Sequence, residues 1–350
     1  MKIFDLDKLV RPNVSVLNPY SSARDEYKTH GEDMVFLDAN ENPNNNGLNR
    51  YPDPHQCKVK EKLSEIKGVP VENILLGNGS DEVLDLVFRA FCEPGDDNVI
   101  TLPPTYGMYK VLAGINDIEN REVYLNHDFE PDVTAILNEV DDNTKIIFLC
   151  SPNNPSGNSF EADKVSGILD NFEGLVIIDE AYIDFSERES WLQKLEFFPN
   201  LIITQTFSKA YGLAGIRLGV LYASEEVISV LNKIKPPYNV NQQTQDQALE
   251  CLSDFDKVKT QVSDILNERT VLSKELLELD FVRKVYKSDA NFLLLEVDNA
   301  NKRYEQLLEK GIVVRNRSNQ PLCENCLRIT IGTQEENKTL IKAFKELDNE

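Results

Sequence analysis

The stretch Thr206-Phe207-Ser208-Lys209-Ala210-Tyr211-Gly212-Leu213-Ala214-Gly215-Ile216-Arg217-Leu218-Gly219 decides how this chain is read. One lysine sits among small and hydroxyl residues, and Arg217 follows it closely. A lysine that reacts through its amine needs a partly desolvated pocket, which lowers its pKa. Small neighbours let a flat ring approach the backbone. The hydroxyls of Thr206 and Ser208, with the Arg217 guanidinium, form a set suited to phosphate. Apolar runs flank the stretch, Leu201-Ile202-Ile203 before it and Leu218-Gly219-Val220-Leu221 at its end.

Similar runs recur toward the N-terminus, at Ile74-Leu75-Leu76, Val99-Ile100-Thr101, Ile146-Ile147-Phe148-Leu149 and Leu175-Val176-Ile177-Ile178. Continuous apolar runs separated by helical or loop segments predict a mainly parallel sheet buried on both faces. Helices are predicted over 56–67 and, by a 3.6-residue period, through Val83, Leu84, Val87 and Phe91. Val35-Phe36-Leu37-Asp38 predicts one more short strand. Beyond Pro236-Pro237-Tyr238 the pattern changes. Helices are expected over 243–278, 301–310 and 335–348, and strands at Asn291–Val297 and Leu327–Ile331. The expected organisation is an α/β fold: an arm over 1–35, a large domain over 36–238, and a small α+β domain over 239–350.

The 350 residues include 37 Lys+Arg and 59 Asp+Glu, a formal net charge of -22. Such a surface repels phosphate backbones, so no nucleic-acid partner is expected. A small anionic substrate must then be held by a local basic site. The first residues contain no apolar signal-peptide core, and no run reaches the ~18 apolar residues of a membrane span. A cytoplasmic location follows as an expectation. Cys323-Glu324-Asn325-Cys326 has the spacing of half a zinc site or a redox pair, but it lacks a second pair. Ordinary cysteines in a loop leading into a strand are the reading taken. His30, His55 and His127 fall in no motif, and no metal is expected.

Polar residues follow the predicted strands at informative places. Asn154 lies beyond the strand at 146–149, Asp179 closes the strand at 175–178, and Lys209 lies beyond the strand at 201–203. In an open parallel sheet, ligands bind outside the carboxyl ends of the strands. Asp179 alone could equally cap a loop. Gly79-Ser80-Asp81 precedes a helix, where free N–H groups bind phosphate, although the same residues would serve as an N-cap. Tyr106, in Pro103-Pro104-Thr105-Tyr106, is placed to stack on a ring or to fill the core.

The stretch around Lys209 resembles the pyridoxal-phosphate lysine motif of the fold-type I aminotransferases, in their class II form. The resemblance covers nearly the whole chain. Within the family it is closest to the histidinol-phosphate aminotransferases, through Asn18-Pro19-Tyr20, Asn40-Glu41-Asn42-Pro43, Asn49-Arg50-Tyr51-Pro52, Gly311-Ile312-Val313-Val314-Arg315 and Cys326-Leu327-Arg328-Ile329-Thr330-Ile331-Gly332. One departure is the longer loop Asn44-Asn45-Asn46-Gly47-Leu48, which bears on the geometry near Tyr51.

The resemblance implies pyridoxal 5'-phosphate as cofactor. Lys209 would be its covalent anchor, Asp179 the partner of the pyridine nitrogen, and Asn154 and Tyr182 the partners of the ring 3-oxygen. Gly79, Ser80, Asp81, Thr206, Ser208 and Arg217 would cradle its phosphate, with Tyr106 against the ring. Tyr20, Asn42, Tyr51, Arg315 and Arg328 would meet the substrate, a phosphorylated amino alcohol or a 2-oxo acid. The family further implies that the arm packs with the small domain, and a homodimer in which Tyr51 reaches the partner's site. Arg315 could also be a surface residue, and Arg328 an interdomain ion pair. A threonine-phosphate decarboxylase-like lyase and an aromatic amino-acid aminotransferase are the rivals on the same scaffold. A cofactor-binding sensor without turnover is disfavoured by the acidic balance.

Overall fold

The computed structural model describes residues 4–20 and 35–348. The remainder of the predicted arm, with His30, lies outside the described residues.

Seven strands form the central sheet: β1 (Ile74–Asn78), β2 (Asn98–Thr101), β3 (Glu119–Glu122), β4 (Thr144–Cys150), β5 (Leu175–Asp179), β6 (Leu201–Thr206) and β7 (Leu218–Tyr222). Their order is β1-β7-β6-β5-β4-β2-β3. β3, β2, β4, β5 and β6 pair in parallel, and β7 runs antiparallel to both β6 and β1. Side chains alternate between faces along each strand. Ile147, Leu149, Val176, Ile178, Leu201 and Ile203 enter one core. Ile146, Phe148, Leu175, Ile177 and Ile202 enter the core on the other face. Burial on both faces is why β4, β5 and β6 carry consecutive apolar residues.

The expected packing of the arm with the small domain is not found for residues 4–20: Val10 and Val14 enter a core of the large sheet, and Arg11 pairs with Glu93. One expected strand is also absent: Val35–Asp38 joins no strand of either sheet among the described residues, and Val35 and Leu37 are 82% and 89% exposed. Conversely, β3 (Glu-Asn-Arg-Glu) carries no apolar residue, because it is an edge strand with no residue buried. Its backbone pairing with β2 suffices to order it.

A second sheet has the order β10-β11-β9-β8, from β8 (Val282–Val285), β9 (Phe292–Val297), β10 (Arg315–Asn316) and β11 (Cys326–Thr330). Leu293, Leu295, Leu327 and Ile329 bury one face of it under the helices Phe255–Leu276 and Gln334–Asp348. The intervening residues Phe292, Leu294 and Cys326 join the core on one side of the large sheet. Arg328, between Leu327 and Ile329, therefore looks toward the large sheet. Val240, Ala248, Leu252 and Val258 also pack into that core.

β7 approaches the end of β1 closely. Gly219 lies opposite Gly77, and a Cβ at Gly219 would come within 2.3 Å of Gly79 C and Ser80 N. Both obstacles are backbone, so neither can rotate away. Gly219→Ala is expected to destabilise the fold by about 3 kcal/mol, as overpacking does, and to weaken cofactor retention by displacing Ser80. Denaturant unfolding and the cofactor content of purified protein check this, and wild-type values for both would refute it.

Candidate active site

The parallel register puts three strand ends side by side. Cys150 of β4 lies opposite Asp179 of β5, and Asp179 lies opposite Thr204 of β6. The loops carrying Asn154 and Lys209 emerge from the same rim. Three predicted site residues, distant in sequence, are thus neighbours because their strands are parallel and adjacent.

Asp179 is 3% exposed. Burial raises its pKa, opposed by the Tyr109 hydroxyl, which donates to Oδ2 at 2.7 Å, and the Ala181 N–H, which donates to Oδ1 at 3.1 Å. Tyr109 is fully buried, stacked on Phe148 at 4.7 Å and edge-on to Tyr106 at 5.6 Å. The sequence reading passed over Tyr109 in favour of Tyr106. The signal that separates them is helical phase: Tyr109, in the helix Met108–Ile115, shares its buried face with Leu112 and Ala113.

Lys209 is solvent-accessible, in a tight connection between β6 and β7. Gly212 N–H donates to Lys209 O, and Leu213 N–H to Phe207 O. Its Nζ lies 5.7 Å from the centre of the Tyr182 ring. Its pKa is lowered, first by surrounding protein and then by Arg328, against the opposing pull of Asp179. This is the direction a nucleophilic amine requires. The residue also lines a cavity of about 630 Å³ between its own loop, the helix Phe255–Leu276 and the turn after β11, with Gln261, Asp264, Glu268 and Gly332.

Tyr182 is buried and meets Phe292 of the small sheet edge-on at 5.1 Å. Arg328 Nη1 donates to Asn154 Oδ1, and its guanidinium lies 5.2 Å from the Phe292 ring. Among the described residues Arg328 forms no ion pair, and its side-chain partner is a neutral amide. Arg315 is its cross-strand neighbour, in register on β10, and is exposed. Next to Asn154, the fully buried Asn153 joins two loops: its amide donates to Pro104 O at 2.9 Å and to Ser156 Oγ at 2.7 Å, and Thr105 Oγ1 donates to its Oδ1.

At the other end of the rim, Gly79 (φ +86°) precedes the helix Ser80–Phe91, with no side-chain cap at its N-terminus. A Cβ on Gly79 would strike Arg217 Nη2 at 2.7 Å. Arg217 (φ +54°) lies 3.9 Å from Asp81, which accepts a hydrogen bond from Tyr106 at 3.1 Å. Thr206 Oγ1 accepts from the Ser208 N–H at 3.2 Å. A helix N-terminus whose N–H groups have no side-chain cap, walled by a guanidinium and hydroxyls, fits a phosphate. The buried acid and the lowered-pKa amine fit the ring of pyridoxal phosphate. Glu82, also unassigned from sequence, fixes this corner by accepting from Asn78 N–H and Asn239 Nδ2.

Tyr20, Asn42 and Tyr51 make their contacts elsewhere. Tyr20 is 73% exposed, beside Pro54, His55 and Lys233. Asn42 Oδ1 accepts from Asn44 within its own loop. Tyr51 stacks on Tyr238 at 4.4 Å and is half exposed.

A family model described as aminotransferase class I and II matches residues 26–344. The chain belongs to that family, and its fold is that of fold type I. A histidinol-phosphate aminotransferase of Christiangramia forsetii is 75% identical over 350 residues, 100% of both chains. One of Flavobacterium johnsoniae is 64% identical over 349 residues, 99% of this chain and 100% of the relative. The crystal structure of histidinol-phosphate aminotransferase from Sinorhizobium meliloti in complex with pyridoxal-5'-phosphate has a TM-score of 0.78 at 25% identity, covering 86% of this chain and 83% of that chain.

Tyr109→Phe tests the support of Asp179. A hydrogen bond to a buried charged group contributes about 2 kcal/mol, and that much stability should be lost in the cofactor-free protein. Tyr109 stabilises the carboxylate and not the acid, so the variant's Asp179 pKa lies higher still. The deficit should therefore grow as pH rises through that pKa. Denaturant unfolding at several pH values measures it, and a pH-independent deficit would contradict the assignment.

Proposed function

We propose that this chain carries out the histidinol-phosphate aminotransferase reaction. It interconverts histidinol phosphate plus 2-oxoglutarate and imidazole-acetol phosphate plus glutamate, within histidine biosynthesis. The observation that carries the proposal is the meeting of the lowered-pKa Lys209, the Tyr182 ring and the Arg328–Asn154 pair, with Arg315 across the strand. An amine and two guanidiniums on one rim suit a substrate with an amino group at one end and a phosphate at the other.

Gly79, Ser80, Asp81, Thr206, Ser208 and Arg217 would hold the cofactor's phosphate, Asp179 its pyridine nitrogen, and Asn154 and Tyr182 its 3-oxygen, with Tyr106 beside the ring. When bound, pyridoxal phosphate supplies an electron-accepting ring and an aldehyde carbon. The chain supplies the rest. Lys209 Nζ would take the proton from the substrate carbon that bears nitrogen and hold it for return, acting first as base and then as acid. The lowered pKa keeps more of this amine neutral at a given pH. Asp179 would partner the pyridine nitrogen, and Tyr109 orients that carboxyl group by donating to Oδ2. Arg315 and Arg328 orient the phosphate of one substrate and the second carboxylate of the other. Tyr20 and Asn42 lie away from this rim and are left out of it.

Tyr51 would reach the site of a second subunit. Its exposure, and that of Leu37 and Leu48 in the same segment, supports a homodimer. No helix among the described residues is long and apolar enough to cross a membrane. All six cysteines are free thiols, which supports a cytoplasmic location.

An amine-donor screen with 2-oxoglutarate tests the specificity. Histidinol phosphate should far exceed phenylalanine, tyrosine and aspartate, and Lys209→Ala should lose about 10⁴-fold in rate. Release of carbon dioxide from phosphothreonine without an oxo acid would instead identify the lyase. The shared site has its own test. Lys209→Ala and Tyr51→Ala subunits, each impaired alone, should regain activity when unfolded and refolded together. Each mixed dimer then contains one site with both residues intact. No gain on mixing would place Tyr51 in its own subunit's site or outside any.

A further inference from the structure

A third arginine belongs with the pair already described. Arg317 follows β10, and its N–H donates to Cys326 O at 2.8 Å, extending the β10–β11 ladder by one residue. Arg315 is in register with Arg328. Side chains alternate along a strand and match across an antiparallel pair. Arg315, Arg317 and Arg328 therefore leave the small sheet on one face, the face turned toward Tyr182 and the large sheet.

Their surroundings leave them uncompensated. Arg317 is half-buried, and its Nε is enclosed with no hydrogen-bond partner among the described residues. The Nε of Arg328 is in the same condition. No carboxylate among the described residues forms an ion pair with any of the three. This is a chain with 59 acidic residues against 37 basic ones. Arg315 and Arg317 repel one another, as do Arg317 and Arg328. Partly buried like charges with open donor edges are unfavourable unless an anion joins them. A phosphate monoester, with close to two charges and three acceptor oxygens, satisfies them better than a single carboxylate.

We propose that Arg317 is a third anion-binding residue of the substrate site, and that it selects a phosphorylated amine over the same amine without its phosphate. This rests on the functional reading above and adds to it the residue that sets the preference. Arg315 and Arg328 serve both half-reactions. Arg317 contributes most where the end group it meets carries nearly two charges, as a phosphate does and a single carboxylate does not, so its removal weighs more on the amine donor than on the oxo acid.

The test uses holoenzyme carrying Arg317→Gln. KM for histidinol phosphate should rise about 10–100-fold, the range for a lost charge-assisted contact, with kcat changed far less. The ratio of kcat/KM for histidinol phosphate to that for histidinol should fall by at least about tenfold. Arg317→Lys, which keeps the charge without the planar fork, should recover part of the loss. Calorimetric titration of holoenzyme with inorganic phosphate gives an independent readout, with weaker binding expected in Arg317→Gln. Unchanged KM and unchanged phosphate affinity would overturn the proposal. Should Arg317→Gln lose its cooperative unfolding transition, Arg317→Lys decides, since an intermediate rise in KM is expected and a wild-type KM refutes it. If the wild-type enzyme ignored histidinol phosphate, the functional reading would fail, while the phosphate titration would still judge Arg317.

Discussion

A carboxylate kept away from water is the constraint on which the rim depends. Asp179 ends a strand buried on both faces, and burial alone pushes its pKa up. Two donors oppose that push, Tyr109 and the Ala181 N–H. Tyr109 is itself fixed by stacking on Phe148, a core residue of the neighbouring strand β4. The acid is thus positioned by the packing of the sheet and not by a flexible loop. A protonated pyridine nitrogen beside it would offset the desolvation that the fold imposes. The cost of burying the acid and the affinity for a cationic ring have the same origin.

The phosphate end obeys a steric rule. β7 presses against the turn that starts the helix Ser80–Phe91, and it can do so only because residues 79 and 219 have no side chains. That contact turns the uncapped N-terminus toward the Lys209 loop, with Arg217 against it. Because β7 is antiparallel to both neighbours, its first residues lie beside the carboxyl ends of β6 and β1. The topology thereby gathers residues 79–81, 206–209 and 217 at one place.

Much of this was legible in the sequence, for a physical reason. Strands buried on both faces carry consecutive apolar residues, so β1, β2, β4, β5, β6 and β7 announced themselves, and the polar residues at or just past their ends marked the rim. β3 and β10 gave no such signal. β3 is a polar edge strand, and the two residues of β10 are an arginine and an asparagine ordered by pairing with β11. Val35–Asp38 misled because apolar composition was taken for pairing, which no neighbouring strand provides. Tyr109 was hidden beside Tyr106, since choosing between two tyrosines needs the helix phase that only the fold fixes. Arg317 was hidden because an arginine in an acidic chain is ordinarily a surface residue. What sets it apart is the absence of a carboxylate partner among the described residues, a property of three-dimensional neighbours.

The global charge and the site charge pull in opposite directions, and their ranges decide the outcome. At physiological ionic strength the field of exposed charges decays over about 8 Å. A net charge of -22 spread over the surface repels a dianionic substrate during its approach. It does little once the ligand lies within the cleft. There it would meet guanidiniums on one face of the small sheet, facing a rim that contributes an amine. Capture is therefore a short-range matter of hydrogen-bond geometry. That places selectivity in how many fork-shaped donors meet one phosphate, and it makes the strand alternation of β10 and β11 a determinant of chemistry as well as of packing.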